Sequence, residues 1–224
     1  MDEYLYNKKI VCPVCSNEFN VTKVKVRACK VKSRDSDFCV HYETVNPLYY
    51  DAWVCENCGY SALSDKFLDI SPKEADTLKK KLMPKWKKHS LSGVRNEDAA
   101  IEALKLVLIS LQFREAKAIE LAKVCLRIAW MYRFKGDEAE EKKFLCHALD
   151  YYTQAYENER FPVDKTDECT CMYIIGELNF RAGNYDEAVK WFSRLIGSEE
   201  ARKKPVLIEA ARDQYQLVKD KLKK

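Results

Sequence analysis

Two cysteine pairs constrain this chain more than any other feature: Cys12-Pro13-Val14-Cys15 and Cys55-Glu56-Asn57-Cys58, the second followed by Gly59-Tyr60. A C-x-x-C turn holds two sulfurs at adjacent corners of a tetrahedron, and a second such turn supplies the other two, with Zn–S bonds of ~2.3 Å. The spacing therefore predicts one zinc site with Cys12, Cys15, Cys55 and Cys58 as ligands. Four protein ligands leave no corner for water or substrate, so the site reads as structural rather than catalytic. A redox C-x-x-C pair would open a helix in a thioredoxin-like βαβ setting, which neither pair has. Gly59 can turn back through positive φ and aim backbone N–H groups at the thiolates. The first knuckle has Ser16-Asn17 at that point, and Asn tolerates the left-handed region better than most residues.

The sequence between the knuckles alternates. Val24, Val26 and Ala28 oppose Lys23, Lys25 and Arg27, which predicts a half-exposed strand from Val21 to Val31. A second strand is expected from Phe38 to Val45, and a third from Tyr49 through Trp53 after Asn46-Pro47 breaks the chain. Two knuckles joined by short antiparallel strands make a zinc-ribbon-like module over residues 1–70. It is too small to fold on burial alone, so metal binding should supply on the order of 10 kcal/mol of its folding free energy.

Ser71-Pro72-Lys73-Glu74 then has the makings of a helix start: Ser as N-cap, Pro at the first helical position and Glu to close a capping box. Pro84 interrupts that helix and His89-Ser90-Leu91-Ser92-Gly93 reads as a loop, so residues 71–95 form a linker. From residue 96 to 224 almost everything is expected to be helical. Ile101, Leu104, Leu108 and Leu111 lie at helical spacing, as do Ile119, Ala122, Leu126 and Ala129.

These helices repeat. Aligning Ala129-Trp130-Met131-Tyr132 with Gly176-Glu177-Leu178-Asn179 brings Gly136 onto Gly183 and Leu145 onto Phe192, so each segment reads as a helix, a glycine turn and a second helix. The later segment, with Gly176, Gly183, Tyr185, Ala188 and Phe192, resembles the tetratricopeptide repeat. The period is 47 residues against the usual ~34, and Asn158 to Asp167 account for the excess. Because two repeats cannot bury their faces alone, residues 97–112 and Pro205 to Leu222 are expected to close the stack. The fold class is thus mainly α: a small β zinc-ribbon-like amino-terminal module followed by an antiparallel helical-hairpin, tetratricopeptide-like array. Leu126, Trp130, Tyr173 and Glu177 stand where the carboxylate-clamp subclass of such repeats carries Lys and Asn, which disfavours a chaperone-tail receptor.

With both halves in place the chain resembles, over nearly its full length, a bacterial family catalogued as domain of unknown function 2225. The resemblance rests on Cys12-Pro13-Val14-Cys15, Ser33-Arg34-Asp35-Ser36-Asp37, Asn46-Pro47-Leu48-Tyr49-Tyr50, Val54-Cys55-Glu56-Asn57-Cys58-Gly59-Tyr60, Gly176-Glu177-Leu178 and Gly183-Asn184-Tyr185-Asp186-Glu187-Ala188. It implies a bacterial cytoplasmic protein with a zinc-ribbon-like segment and tetratricopeptide-like helices, and no assigned reaction.

Other residues invite weaker readings. Period-2 alternation would put Asp37, Cys39 and His41 on one strand face with Cys29 nearby, a second candidate metal set; against it, no knuckle preorganises the group. Lys79, Lys80, Lys81, Lys85, Lys87 and Lys88 surround Trp86 and could grip phosphates and stack a base, although such a run is more often a solvated face. No P-loop, G-x-G-x-x-G, G-x-S-x-G or H-E-x-x-H occurs, so an enzyme is not expected. Six of the ten cysteines lie in the metal-type pattern of the first 58 residues, which argues against a disulfide scaffold. No stretch of about 18 apolar residues and no signal-type amino terminus occurs, so a cytoplasmic protein with no membrane partner is expected.

The reading that follows is a zinc-binding interaction protein whose helical groove takes a protein or peptide, with Arg34, Trp130, Tyr173 and Glu177 as candidate contacts. The alternatives are a nucleic-acid-associated regulator using the ribbon and the lysines, and a zinc or thiol sensor.

Overall fold

A computed structural model describes residues 3–223. The strands come first, as three separate antiparallel pairs: β1 (Leu5–Val11) with β2 (Glu18–Val24), β3 (Val31–Arg34) with β4 (Val40–Tyr42), and β5 (Ala52–Val54) with β6 (Ser61–Leu63). Seven helices follow among the described residues: α1 (Pro72–Lys81), α2 (Glu97–Arg114), α3 (Ala118–Lys135), α4 (Glu138–Asn158), α5 (Glu168–Ala182), α6 (Tyr185–Gly197) and α7 (Pro205–Leu222). The fold is mainly α with a small β module at its amino-terminal end.

The strands differ in detail from the alternation. β2 ends at Val24, and Val26–Ala28 is a 3-10 turn with Val26 89% exposed, so the run of alternating residues spans a strand and a turn. Pro47–Tyr50 is likewise a 3-10 turn, opened by the Asn46 side chain accepting from Leu48 N. The strand expected over Phe38 to Val45 is only Val40–Tyr42, because Phe38 takes φ +69° and breaks the extended run. β1 lies outside the expected strands; only Leu5 in it is buried, which leaves little pattern to read.

Contacts divide the chain into two compact units. The first holds the chain up to Arg34, Val40–Ala116 and Trp130–Glu138; the second holds Asp35–Cys39, Lys117–Ala129 and the chain from Ala139 onward. In the first unit Phe19, Val21, Trp53, Tyr60, Phe67, Leu78 and Leu82 share a core with the cysteines, and Phe67 meets the rings of Phe19, Trp53 and Tyr60 at centroid distances of 5.9, 5.7 and 4.9 Å. α1 opens with the expected capping box of Ser71 and Glu74. Glu74 also pairs with Arg114 at 2.9 Å, tying α1 to α2. α2 packs on β5 and β6, where Ser110 Oγ accepts from Ser61 N at 3.2 Å. Arg95 fastens the preceding loop: its guanidinium donates to the carbonyls of Leu91, Tyr49 and Ala52, and burial lowers its pKa to about 10.

In the second unit α5 is buried from Cys169 to Asn179 except for Thr170, packing on α6 and α7. Asp167 caps its start by accepting from Thr170 N, and Gly183 ends it at φ +89°, a left-handed turn that suits a residue without Cβ. Gly136 takes the same conformation between α3 and α4. Gly176 is required by packing instead, since a Cβ there would lie 2.9 Å from the Phe192 ring of α6.

Candidate metal centre

Each cysteine knuckle is the turn of a β-hairpin. Val11 and Glu18 are the last pair of β1 and β2, with Cys12 to Asn17 between them; Val54 and Ser61 close β5 and β6 around Cys55 to Tyr60. The two turns have the same backbone bonds. Cys12 N donates to Asn17 O at 2.9 Å and Ser16 N to Cys12 O at 2.9 Å; Cys55 N donates to Tyr60 O and Gly59 N to Cys55 O, both at 2.8 Å. The residue after the second cysteine is left-handed in both, Gly59 at φ +78° and Ser16 at φ +60°. In the first knuckle Ser16, rather than Asn17, therefore carries that conformation.

The turns meet with their sulfurs together. The Sγ atoms of Cys12, Cys15, Cys55 and Cys58 all lie within 4.8 Å of one another. Cys12 Sγ is 3.7 Å from Cys58 Sγ, and Cys15 Sγ is 3.6 Å from Cys55 Sγ. A tetrahedron with bonds of ~2.3 Å has edges of about 3.8 Å, so the four sulfurs fit a single ion of zinc size. Cys12, Cys55 and Cys58 are buried and Cys15 is half-buried. Among the sulfurs, the hydrogen bond with Cys12 pulls Cys55 well down, while Cys12 is pushed up to about 12 by Cys55, and Cys58 is pushed up by Cys12. A divalent cation that ionises all four removes that competition and leaves a centre of charge about −2.

Groups outside the ligand set hold the knuckles. Asn57 Nδ2 donates to Cys15 Sγ at 3.5 Å. Trp86, from the lysine-rich segment, lies directly over Gly59; its Nε1 donates to Glu56 O at 2.8 Å and its ring stacks on His89 at 4.5 Å. The ring that could have stacked a base is thus engaged within the chain. Only its position among lysines singled Trp86 out in the sequence, and that signal pointed elsewhere.

The second candidate set is regrouped. Asp35, Cys39 and His41, all within the β3–β4 hairpin, bring their ligand atoms within 4.8 Å of one another. Asp35 stands where Asp37 was expected, and Cys29 is not in the group: its Sγ faces Lys25 O at 3.8 Å. The reason is the turn at Phe38, which ends the strand alternation and sends Asp37 towards Arg181 Nε, 3.6 Å away. Of the candidate contact residues, Arg34 is exposed on β3 and Trp130 is buried in the first unit. Tyr173 and Glu177 lie one turn apart on α5, both buried.

Fold and site together define a mainly α protein with a four-cysteine centre, able to hold a metal ion, in its amino-terminal β module. The chain belongs to the family described as uncharacterized protein conserved in bacteria, domain of unknown function 2225, whose sequence profile matches residues 5–218. No curated protein and no solved structure matches it. Among the described residues no helix is long and apolar enough to cross a membrane.

Proposed function

We propose that this protein is a zinc-stapled interaction protein: a structural zinc fixes the first unit, and the helices of the second, paired in the manner of tetratricopeptide repeats, present a face to a peptide or protein in the cytoplasm. The sulfur geometry carries the zinc reading, with closest approaches of 3.7 and 3.6 Å and all four corners supplied by cysteine. A centre closed by four thiolates has no position for a reacting water, which supports a structural role and a binding rather than a catalytic protein. The helical reading is supported by two helix–glycine–helix segments, α3–α4 and α5–α6, each turning through a left-handed glycine. Zinc would be held by Cys12, Cys15, Cys55 and Cys58, with Asn57 orienting Cys15.

Native mass spectrometry with elemental analysis on protein purified under reducing conditions tests this. One zinc per chain is expected, and Cys55→Ser should lose it and unfold the β module while the helices of the second unit persist. Retained zinc with an unchanged amide spectrum in Cys55→Ser would overturn the reading.

A further inference from the structure

The turn between β3 and β4 clusters with the helices of the second unit rather than with its own strands. Its backbone is tightly wound: Phe38 N donates to Asp35 O at 3.0 Å, Asp35 N to Cys39 O at 2.8 Å, and Phe38 sits at φ +69°, a conformation L-residues rarely adopt. Three consecutive side chains of the turn meet three residues spaced four apart on α5. Phe38 stacks on Tyr173 with centroids 5.2 Å apart and planes 21° from parallel. Ser36 Oγ donates to Glu177 Oε1 at 2.6 Å and accepts from Arg181 Nη2 at 3.1 Å. Arg181 Nε donates to Glu177 Oε1 at 2.8 Å and lies 3.6 Å from Asp37 Oδ2.

This contact has the chemistry of recognition rather than of a core. It reads an aromatic ring, a hydroxyl and a carboxylate at successive turns of one helix face, and buries Asp37 and Glu177 to 0% and 1% exposure around one guanidinium. It is also incompletely satisfied: Glu177 Oε2 is buried without a hydrogen-bond partner, a cost of about 1–3 kcal/mol that a simple packing contact has no reason to carry.

We propose that the α5 face of Tyr173, Glu177 and Arg181 is a receptor for a Ser-Asp-aromatic turn, filled in cis by Ser36-Asp37-Phe38, so that a segment of the same chemistry from another chain binds only when this turn withdraws. The proposal rests on the interaction reading above and names its partner chemistry. A ligand tethered in the same chain acts at a millimolar effective concentration, so the cis turn excludes a competitor present at micromolar levels.

The test uses the full chain with its metal, a fluorescein-labelled peptide of residues 31–42 carrying Cys39→Ser, and fluorescence anisotropy. A variant with Ser36→Gly, Asp37→Gly and Phe38→Gly should bind the peptide saturably, and the unaltered chain at least about tenfold more weakly, since only the fraction with an open face can bind. Adding Tyr173→Ala or Arg181→Gln to the vacated variant should abolish binding. If the triple variant does not fold, Phe38→Ala, which loses only the ring stack, replaces it and should bind more tightly than the unaltered chain. Binding that ignores Tyr173 and Arg181, or a folded vacated variant that binds nothing, overturns the receptor. Equal binding by the vacated and unaltered chains overturns cis occupancy while leaving the interaction reading intact, and the metal count is independent of every outcome.

Discussion

Gly59→Ala puts two separable costs on one atom. At φ +78° any Cβ strains the left-handed backbone by about 1–2 kcal/mol. The added methyl would also lie 2.7, 2.8 and 2.9 Å from Cδ2, Cε3 and Cγ of Trp86, inside any real carbon contact. The indole cannot slide away freely, because Nε1 is bonded to Glu56 O at 2.8 Å and the ring is stacked on His89. Forcing it aside costs about 1–3 kcal/mol by the usual range for overpacking. The sum is a loss of about 2–5 kcal/mol, expressed beside Cys58 and therefore also as faster metal release. Gly136→Ala, in the same unit at φ +77° with nothing within 4 Å of its Cβ position, is the control that carries the backbone cost alone. Urea unfolding of the metal-loaded variants, with release to a chromogenic chelator measured in parallel, compares them. In a Trp86→Ala background the penalty of Gly59→Ala should shrink to that of Gly136→Ala. The reasoning is refuted if Gly59→Ala costs no more than Gly136→Ala, or if its cost is unchanged when the indole is gone.

Further expectations concern the second unit and the buried charges. Gly176→Leu drives a side chain into Phe192, whose ring atom already lies 2.9 Å from the Cβ position; a loss of about 1–3 kcal/mol is expected in thermal unfolding, and unaltered stability would remove glycine's role in pairing α5 with α6. Arg95→Met leaves the carbonyls of Leu91, Tyr49 and Ala52 without their charged donor, which should cost about 2–4 kcal/mol in urea titration; a loss under ~0.5 kcal/mol would show the clasp to be incidental. Burial, outweighing the bonds from Ser36 and Arg181, raises the Glu177 carboxyl above the ordinary glutamate range, with Asp37 adding to the rise. The folded chain then binds more protons than the unfolded one between the ordinary and the raised value. Glu177's contribution is present in full below that window and falls as pH rises through it, so the stability of the native chain relative to Glu177→Gln should decline with rising pH. A difference flat with pH would contradict the sign.

The parts of this molecule that were legible in its sequence are those written over a few residues. The cysteine knuckles follow from two sulfurs three positions apart, the start of α1 from Ser71, Pro72 and Glu74, and the turns at Gly136 and Gly183 from the one residue type that enters the left-handed region freely. Alternation served less well. It extended one strand to Val31 across a 3-10 turn, and it placed Asp37 beside Cys39 and His41 because nothing local announces that Phe38 leaves the extended region. β1 was silent, since Tyr6-Asn7-Lys8-Lys9 has no apolar face to read. Trp86 over Gly59 and Ser36 on Glu177 are contacts between distant segments, and they depend on how elements stack rather than on any pattern within one.

The separation of 141 residues between Ser36 and Glu177 has a consequence during biosynthesis. All four cysteines have been added by residue 58, whereas Tyr173, Glu177 and Arg181, which receive the turn, follow more than a hundred residues later. At ~5–20 residues per second, the turn waits about 7–28 s with its serine, aspartate and phenylalanine uncovered. A nascent chain thus displays the Ser-Asp-Phe segment until α5 is made and withdraws it then, so the docked turn marks a chain synthesised through α5.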